Sequence, residues 1–220
     1  MLILRPSALL SRPATCTWPI AVLALGLLLG FSRPLIAQDL TFRVEMTDAG
    51  KERLADREQI EPDQLAETLS QEGLFVWIGG SILTETRFLV FFVPGDADGD
   101  EVMYCCDGEE PIQMEPGRHP IGKLFPSERF LSMLRKTTGD ADVSLESWIE
   151  FDEGVSIGGG SIEPDFDTMV ESLLVDPLRD RMKIGSEQVG VVFALVPVNP
   201  KVEDDSAIQI SPLGLTLTRQ

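Results

Sequence analysis

Histidine occurs once in this 220-residue chain, tyrosine once, cysteine three times and lysine five times. Each shortage removes a class of function. One imidazole, His119, excludes zinc sites assembled from several histidines. It could serve as a general base, but "GRHPIG" reads as a loop between prolines, where a lone histidine is a surface residue. Three cysteines cannot build the disulfide framework of a small secreted domain, so a hydrophobic core must hold the fold. Basic side chains are also short, 18 against 36 acidic, for a formal charge of −18. Such a field repels nucleic acid and anionic membrane, and favours a basic partner, cations, or simple solubility in salt.

Catalytic signatures are missing as well. Neither Gly79-Gly80-Ser81 nor Gly159-Gly160-Ser161 continues to the glycine of a nucleophile elbow, and there is no phosphate loop. Asp167-Thr168 is followed by Met169, where an aspartic protease needs glycine. Carboxylates are so abundant that a usable spacing between two of them carries little weight. A carboxylate-based hydrolase therefore stands only as a further alternative.

The one long apolar run, "IAVLALGLLLGF" from Ile20 to Phe31, follows Arg5 and Arg12 and is closed by Arg33 and Pro34. This is the pattern of an export signal, with cleavage expected after Ala37 in "PLIA". A retained anchor is the rival, since residues 13–32 are uncharged, but Pro13, Thr15, Thr17 and Pro19 weaken a span of the required ~20 apolar residues. Cys16 precedes the run and cannot become a lipidated mature terminus. Residues 1–37 contain three arginines and no acid, so residues 38–220 keep 15 basic and 36 acidic side chains, a net −21. The expectation is a periplasmic or secreted protein with no membrane span after cleavage and a single α+β domain over 38–220.

Along that domain, "LTFRVEM" alternates apolar and polar, as a half-buried strand does. "EPDQLAETLSQEG" reads as a helix, with Pro62 in its first turn and Gly73 as its stop, and the preceding Thr47–Gln59 stretch as weak helix or loop. "LFVWI" and "ILTETRFLVFFV" read as a strand pair across Gly79 and Gly80, the second central because it is apolar on both faces from Phe88. A second helix is expected in "PSERFLSMLRKTTG" and a third in "EPDFDTMVESLLVDP". "VSLESWIEF" and "VSIGGGSI" suggest two strands around a turn at 152–154. "QVGVVFALVPV" should be another central strand, and "AIQISPLGLTLT" an edge strand interrupted by Pro212. Helix followed by two strands occurs three times, which allows a repeated unit. The sum is an α+β fold, mainly antiparallel sheet with about three helices packed on it.

Two stretches carry candidate chemistry. In "DADGDEVMYCCDGEE", Asp96, Asp98 and Asp100 have the alternate spacing of a calcium loop, making calcium the candidate cofactor. Glu101 and Asp107 stand where an EF-hand has glycine and glutamate, so a solvated turn is the simpler reading. Cys105 and Cys106 could be oxidised to a vicinal disulfide, buried as thiols, or used as soft ligands. If "DGEE" is a hairpin turn, Met103 faces Met114 on the side of Cys105. With Cys106 and His119 nearby, that set suits monovalent copper, although methionine on a strand is ordinarily core. In "ESWIEFDE", alternation puts Leu145, Ser147 and Ile149 on one face and Glu146, Trp148 and Glu150 on the other. A tryptophan among carboxylates can stack on a sugar or receive a cationic side chain, unless a helix covers it as core. The reading is an exported, non-catalytic binding or accessory protein of the cell envelope with a protein or small-ligand partner, metal binding being the alternative.

Overall fold

The computed structural model describes residues 39–55, 57–81, 83–95, 103–105, 111–151, 155–158, 181–198 and 207–220. Asp96, Asp98, Asp100, Cys106 and the helix expected from Pro164 lie outside them. The chain divides at Ile36/Ala37, and all the described elements belong to the unit Ala37–Gln220. That unit is an α+β fold of helices and two mostly antiparallel sheets.

Strand β1 (Leu40–Met46) leads into helix α1 (Asp48–Ala55), helix α2 (Pro62–Thr68) and a π turn over Leu69–Gly73. Strands β2 (Leu74–Gly79), β3 (Thr84–Pro94), β4 (Met103–Cys105), β5 (Ile112–Met114) and β6 (Gly117–Pro120) follow, then a 3-10 turn at Ile121–Lys123 and helix α3 (Ser127–Thr138). The chain closes with β7 (Val143–Glu150), β8 (Val155–Gly158), β9 (Gln188–Pro197), β10 (Ala207–Ser211) and β11 (Leu213–Arg219).

The first sheet has five strands in the order β6-β2-β1-β10-β8, with β1 and β10 parallel. The second has the order β4-β3-β9-β11-β7, with β5 also on β3. The expected strand pairs are not formed. Gly80, at φ 125°, turns the chain out of β2, and β3 joins the other sheet, where it pairs with β9. The physical reason lies in burial: Phe88 to Val93 are all buried and need cover on both faces, whereas β2 alternates. Likewise β7 and β8 do not pair with each other. They run one after the other along β11 and β10, so a two-stranded ribbon passes from one sheet into the other, bending where Phe151 N–H donates to the Pro212 carbonyl. The closing segment is therefore not an edge: Pro212 splits it into β10, between β1 and β8, and β11, between β9 and β7.

The hairpin geometry near the cysteines also differs from the expectation. Met103 is opposite Phe92 and Met114 opposite Thr84, both on β3, so the two methionines do not face each other. From Val90 back to Thr86 is four residues, while their partners Cys105 and Ile112 are seven apart, so three extra residues separate β4 from β5 along one edge. "EPGRHPIG" is not wholly loop: Gly117–Pro120 forms the edge strand β6, with Pro120 at its end, where no ladder donor is needed.

Helices close the core. Pro62 fixes the first turn of α2, and Leu65, Ala66 and Leu69 point inward. On α3, Phe130 and Leu134 are buried, and Phe130 joins Phe125, Phe88, Phe92 and Phe193 with ring centroids 5.0–6.3 Å apart. This aromatic packing covers one face of β3 and β9. Elsewhere on β9, Gly190 leaves room for Ile184 and Met182. In the first sheet Phe42, Val44, Val76, Ile78, Ile208 and Ile210 are buried, and their alternate neighbours form the opposite, outer face.

Candidate functional site

Strand register places the outer-face side chains in rows. Arg43 on β1 is opposite Trp77 on β2, which is opposite Arg118 on β6. In the next row Glu45 is opposite Phe75, and Phe75 opposite Pro120. Directly paired residues share a face, so these side chains stand together. Trp77 is 38% exposed, one of four large exposed hydrophobics among the described residues.

Trp77 does not stand up from the sheet. A Cβ on Gly79, two residues along, would lie 2.5 Å from the indole Cη2 and 2.6 Å from Cζ3. The outer edge of the ring therefore leans along the strand over the bare Cα of Gly79. Gly79 is needed for this approach, not for an unusual backbone: Gly80 has the positive φ and Gly79 does not.

Charge surrounds the ring in an alternating chain. The Glu45 carboxylate lies 3.6 Å from Arg43 Nε and 3.4 Å from Arg118 Nε. Arg43 reaches on to Glu150 at 3.4 Å, and Glu150 accepts from Lys51 of α1 at 2.9 Å. The order Arg118, Glu45, Arg43, Glu150, Lys51 has a cation at each end and a net charge of +1, on a chain whose total is −18. Arg118 is further fixed by stacking, its guanidinium carbon 3.9 Å from the Phe75 ring centroid. Its side chain is 51% exposed, and among the described residues its Nη groups have no hydrogen-bond partner.

The three β7 residues singled out from sequence are placed differently from the simple alternation. Ser147 faces Thr216 and Leu145 faces Leu217, which makes Glu146 an extra residue in a bulge. Leu145 therefore changes face and joins Trp148, opposite Leu215, and Glu150, opposite Leu213. Trp148 is 36% exposed. Glu146 accepts from Ser144, and Glu150 is occupied by Arg43 and Lys51, so the carboxylates do not frame Trp148 as a pair. Glu150 instead links the Trp148 strand to the Arg43 row.

The sulfur and histidine set is spread out. His119 is on β6 in the first sheet, opposite Val76, and Met114 is buried on β5 in the second. His119 Nε2 donates to the Glu115 carbonyl at 2.7 Å. Met103 pairs with Phe92, eight residues along β3 from the partner of Met114, which at about 3.4 Å per residue is about 27 Å. Among the described residues no three histidine, cysteine or acidic side chains are grouped to hold a metal ion. Nor is any helix among them long and apolar enough to cross a membrane.

Sequence reading missed Trp77, Arg43 and Arg118 as a group, although the alternation in "LTFRVEM" and "LFVWIG" already assigns Arg43, Glu45, Phe75 and Trp77 to the polar sides of their strands. The missing information was pairing, because Arg118 on β6 lies 41 residues beyond Trp77 (118 − 77). Compared with protein-family models, curated proteins and solved structures, the chain matches none, so its function rests on this geometry alone.

Proposed function

We propose that this chain is an exported, non-catalytic binding or accessory protein of the cell envelope, and that the outer face of its five-stranded sheet is the ligand surface. One observation carries the reading: Trp77 is 38% exposed between Arg43 and Arg118, with the edge of its ring over Gly79. A large aromatic ring normally buries most of its area. Here the bare Cα of a glycine admits the edge of the ring to the strand, and the residue still meets water. Flat aromatic area at little conformational cost, beside hydrogen-bonding groups, is what a binding face requires. The apolar run and small-residue boundary before Gln38 support export.

The test uses the mature protein on an array of defined glycans and peptides, comparing wild type with Trp77→Ala. Ligands retained by wild type and lost by the variant, with circular dichroism unchanged, are the expected result. Identical profiles for the two proteins would remove the outer face as the binding surface.

A further inference from the structure

We infer that the free edge of β7 takes an added strand, an extended segment of a protein partner with lysine or arginine at alternate positions. This surface is separate from the outer face of the first sheet, and the inference does not depend on that reading. β7 ends its sheet, paired with β11 on one side. Phe151 N–H donates to the Pro212 carbonyl, and Ser147 and Ile149 are opposite Thr216 and Gly214. Peptide groups alternate in direction along a strand, so those of Trp148 and Glu150 point away from β11. Val143 also points outward and shows what the edge can hold: it exchanges hydrogen bonds of 2.8 and 3.0 Å with Ile60, in antiparallel register. From Leu145 to Glu150 no described segment continues that pairing. Ser147 and Trp148, on opposite faces, are both exposed, so neither face covers the edge there.

Charge and chemistry select the occupant. Glu146 is exposed, accepts from the Ser144 hydroxyl at 3.1 Å, and has no cationic partner among the described residues. Glu61, beside the bridging Ile60, and Asp142, beside Val143, likewise have no ion pair among them. Glu150 differs, because Arg43 and Lys51 already hold it. The edge thus carries uncompensated carboxylates on a chain of net −18. Directly paired residues share a face, so the partner residue opposite Trp148 lies beside the indole, which attracts a cation held over it. Alternate basic side chains fit both features, while the partner's backbone supplies the ladder. A second copy of this chain is opposed by the same charges: pairing two β7 edges would bring like carboxylates together, and the bulge at Glu146 already turns the strand away from flat pairing.

The probe is the peptide Lys-Thr-Lys-Thr-Lys-Thr-Lys with blocked ends, titrated into the mature protein by calorimetry at low salt. Saturable one-to-one binding is expected, weakened by added salt, with slower hydrogen exchange at the Trp148 and Glu150 amides on saturation. The fully N-methylated peptide keeps the charge without ladder donors and should bind at least tenfold more weakly. A peptide with glutamate in place of lysine should not bind. Glu146→Lys and Trp148→Ala should each lose several-fold in affinity. Trp148→Pro removes an outward donor and no bond to β11, which an edge strand tolerates, and should lose at least tenfold with circular dichroism unchanged. Equal binding of the N-methylated peptide overturns strand addition, and unchanged exchange at Trp148 and Glu150 does the same. Absence of saturable binding, or full binding by both Glu146→Lys and Trp148→Ala, also overturns the inference. So does a dimer in sedimentation that Trp148→Pro dissociates, since the edge then belongs to a second copy. Should Trp148→Pro fail to fold, the N-methylated peptide and the exchange measurement decide.

Discussion

Gly79→Ala separates the geometry of the Trp77 platform from the stability of the sheet. The added Cβ would sit 2.5–2.6 Å from two indole carbons, against an ordinary contact of about 3.5–4.0 Å, so the ring must move by about 1 Å. It has somewhere to go, because Trp77 is 38% exposed. Lost carbon contacts at about 0.1–0.2 kcal/mol each and a strained χ angle of about 0.5–1.5 kcal/mol oppose the change. Alanine returns about 0.5–1 kcal/mol over glycine within a strand. The net effect on stability should stay within about 1 kcal/mol. Gly80→Ala makes the contrast: at φ 125°, with its Cβ 2.8 Å from Leu40 Cδ2, it should cost about 1–3 kcal/mol. Urea unfolding measures both, and tryptophan emission in the Trp148→Phe background reports the ring. The expected signature is a red-shifted, more easily quenched Trp77 in Gly79→Ala at nearly unchanged stability. A loss above about 2 kcal/mol, or emission identical to the parent, would refute the approach of the ring to Gly79 and the binding face built on it.

Glu45→Gln should leave stability within about 1 kcal/mol, because its two ion pairs are partly exposed. Gly190→Ala puts a Cβ 2.3 Å from Ile184 Cδ1 and should destabilise by about 1–3 kcal/mol in urea, with Ile184→Val restoring most of it. For the acidic segment, calorimetric titration with calcium should show weak, non-saturating uptake that fades with salt. Saturable one-to-one binding that survives moderate salt and is lost in Asp98→Asn would instead establish a calcium loop. Intact mass of the exported protein should begin at or near Gln38, and a retained Met1 would remove the export reading.

The elements legible in the sequence are those whose periodicity is local. Alternation in "LTFRVEM" and the continuous apolar runs of β3 and β9 declare half-buried and fully buried strands, and Pro62 and Gly139 mark helix boundaries. α1 was only weakly visible because "DAGKERLA" has little apolar periodicity. Its support is tertiary: Thr47 Oγ1 accepts from Gly50 N–H and donates to the Glu72 carbonyl, and Gly50 packs against Gly73 of the π turn. Sheet membership was invisible for a different reason. Short connections suggested hairpins, but Gly80 and Pro212 instead carry the chain between sheets. The bulge at Glu146 likewise changes which residues share a face, and only the partner strand's register reveals it.

The distribution of cations gives the outer face its character. The chain has 18 basic residues, of which only five are lysine. A lysine at position 118 would be a mobile point charge on a flexible stem, and in so acidic a protein it would be drawn to any of many carboxylates. Arginine can be fixed at two points at once, its plane on Phe75 and its Nε on Glu45, which leaves its remaining donors directed outward. Glu45 is part of that fixing as much as it is a neutralising charge, because it pairs with both Arg43 and Arg118, the two neighbours of Trp77 in its row. Glu150 extends the same order to α1 through Lys51, so the direction of each guanidinium is set by a carboxylate on a different element. Acidity elsewhere in the chain then has a consequence for selectivity. Long-range repulsion discourages dense polyanions, while at contact range the outward donors of Arg118 stay directed toward a single acceptor group.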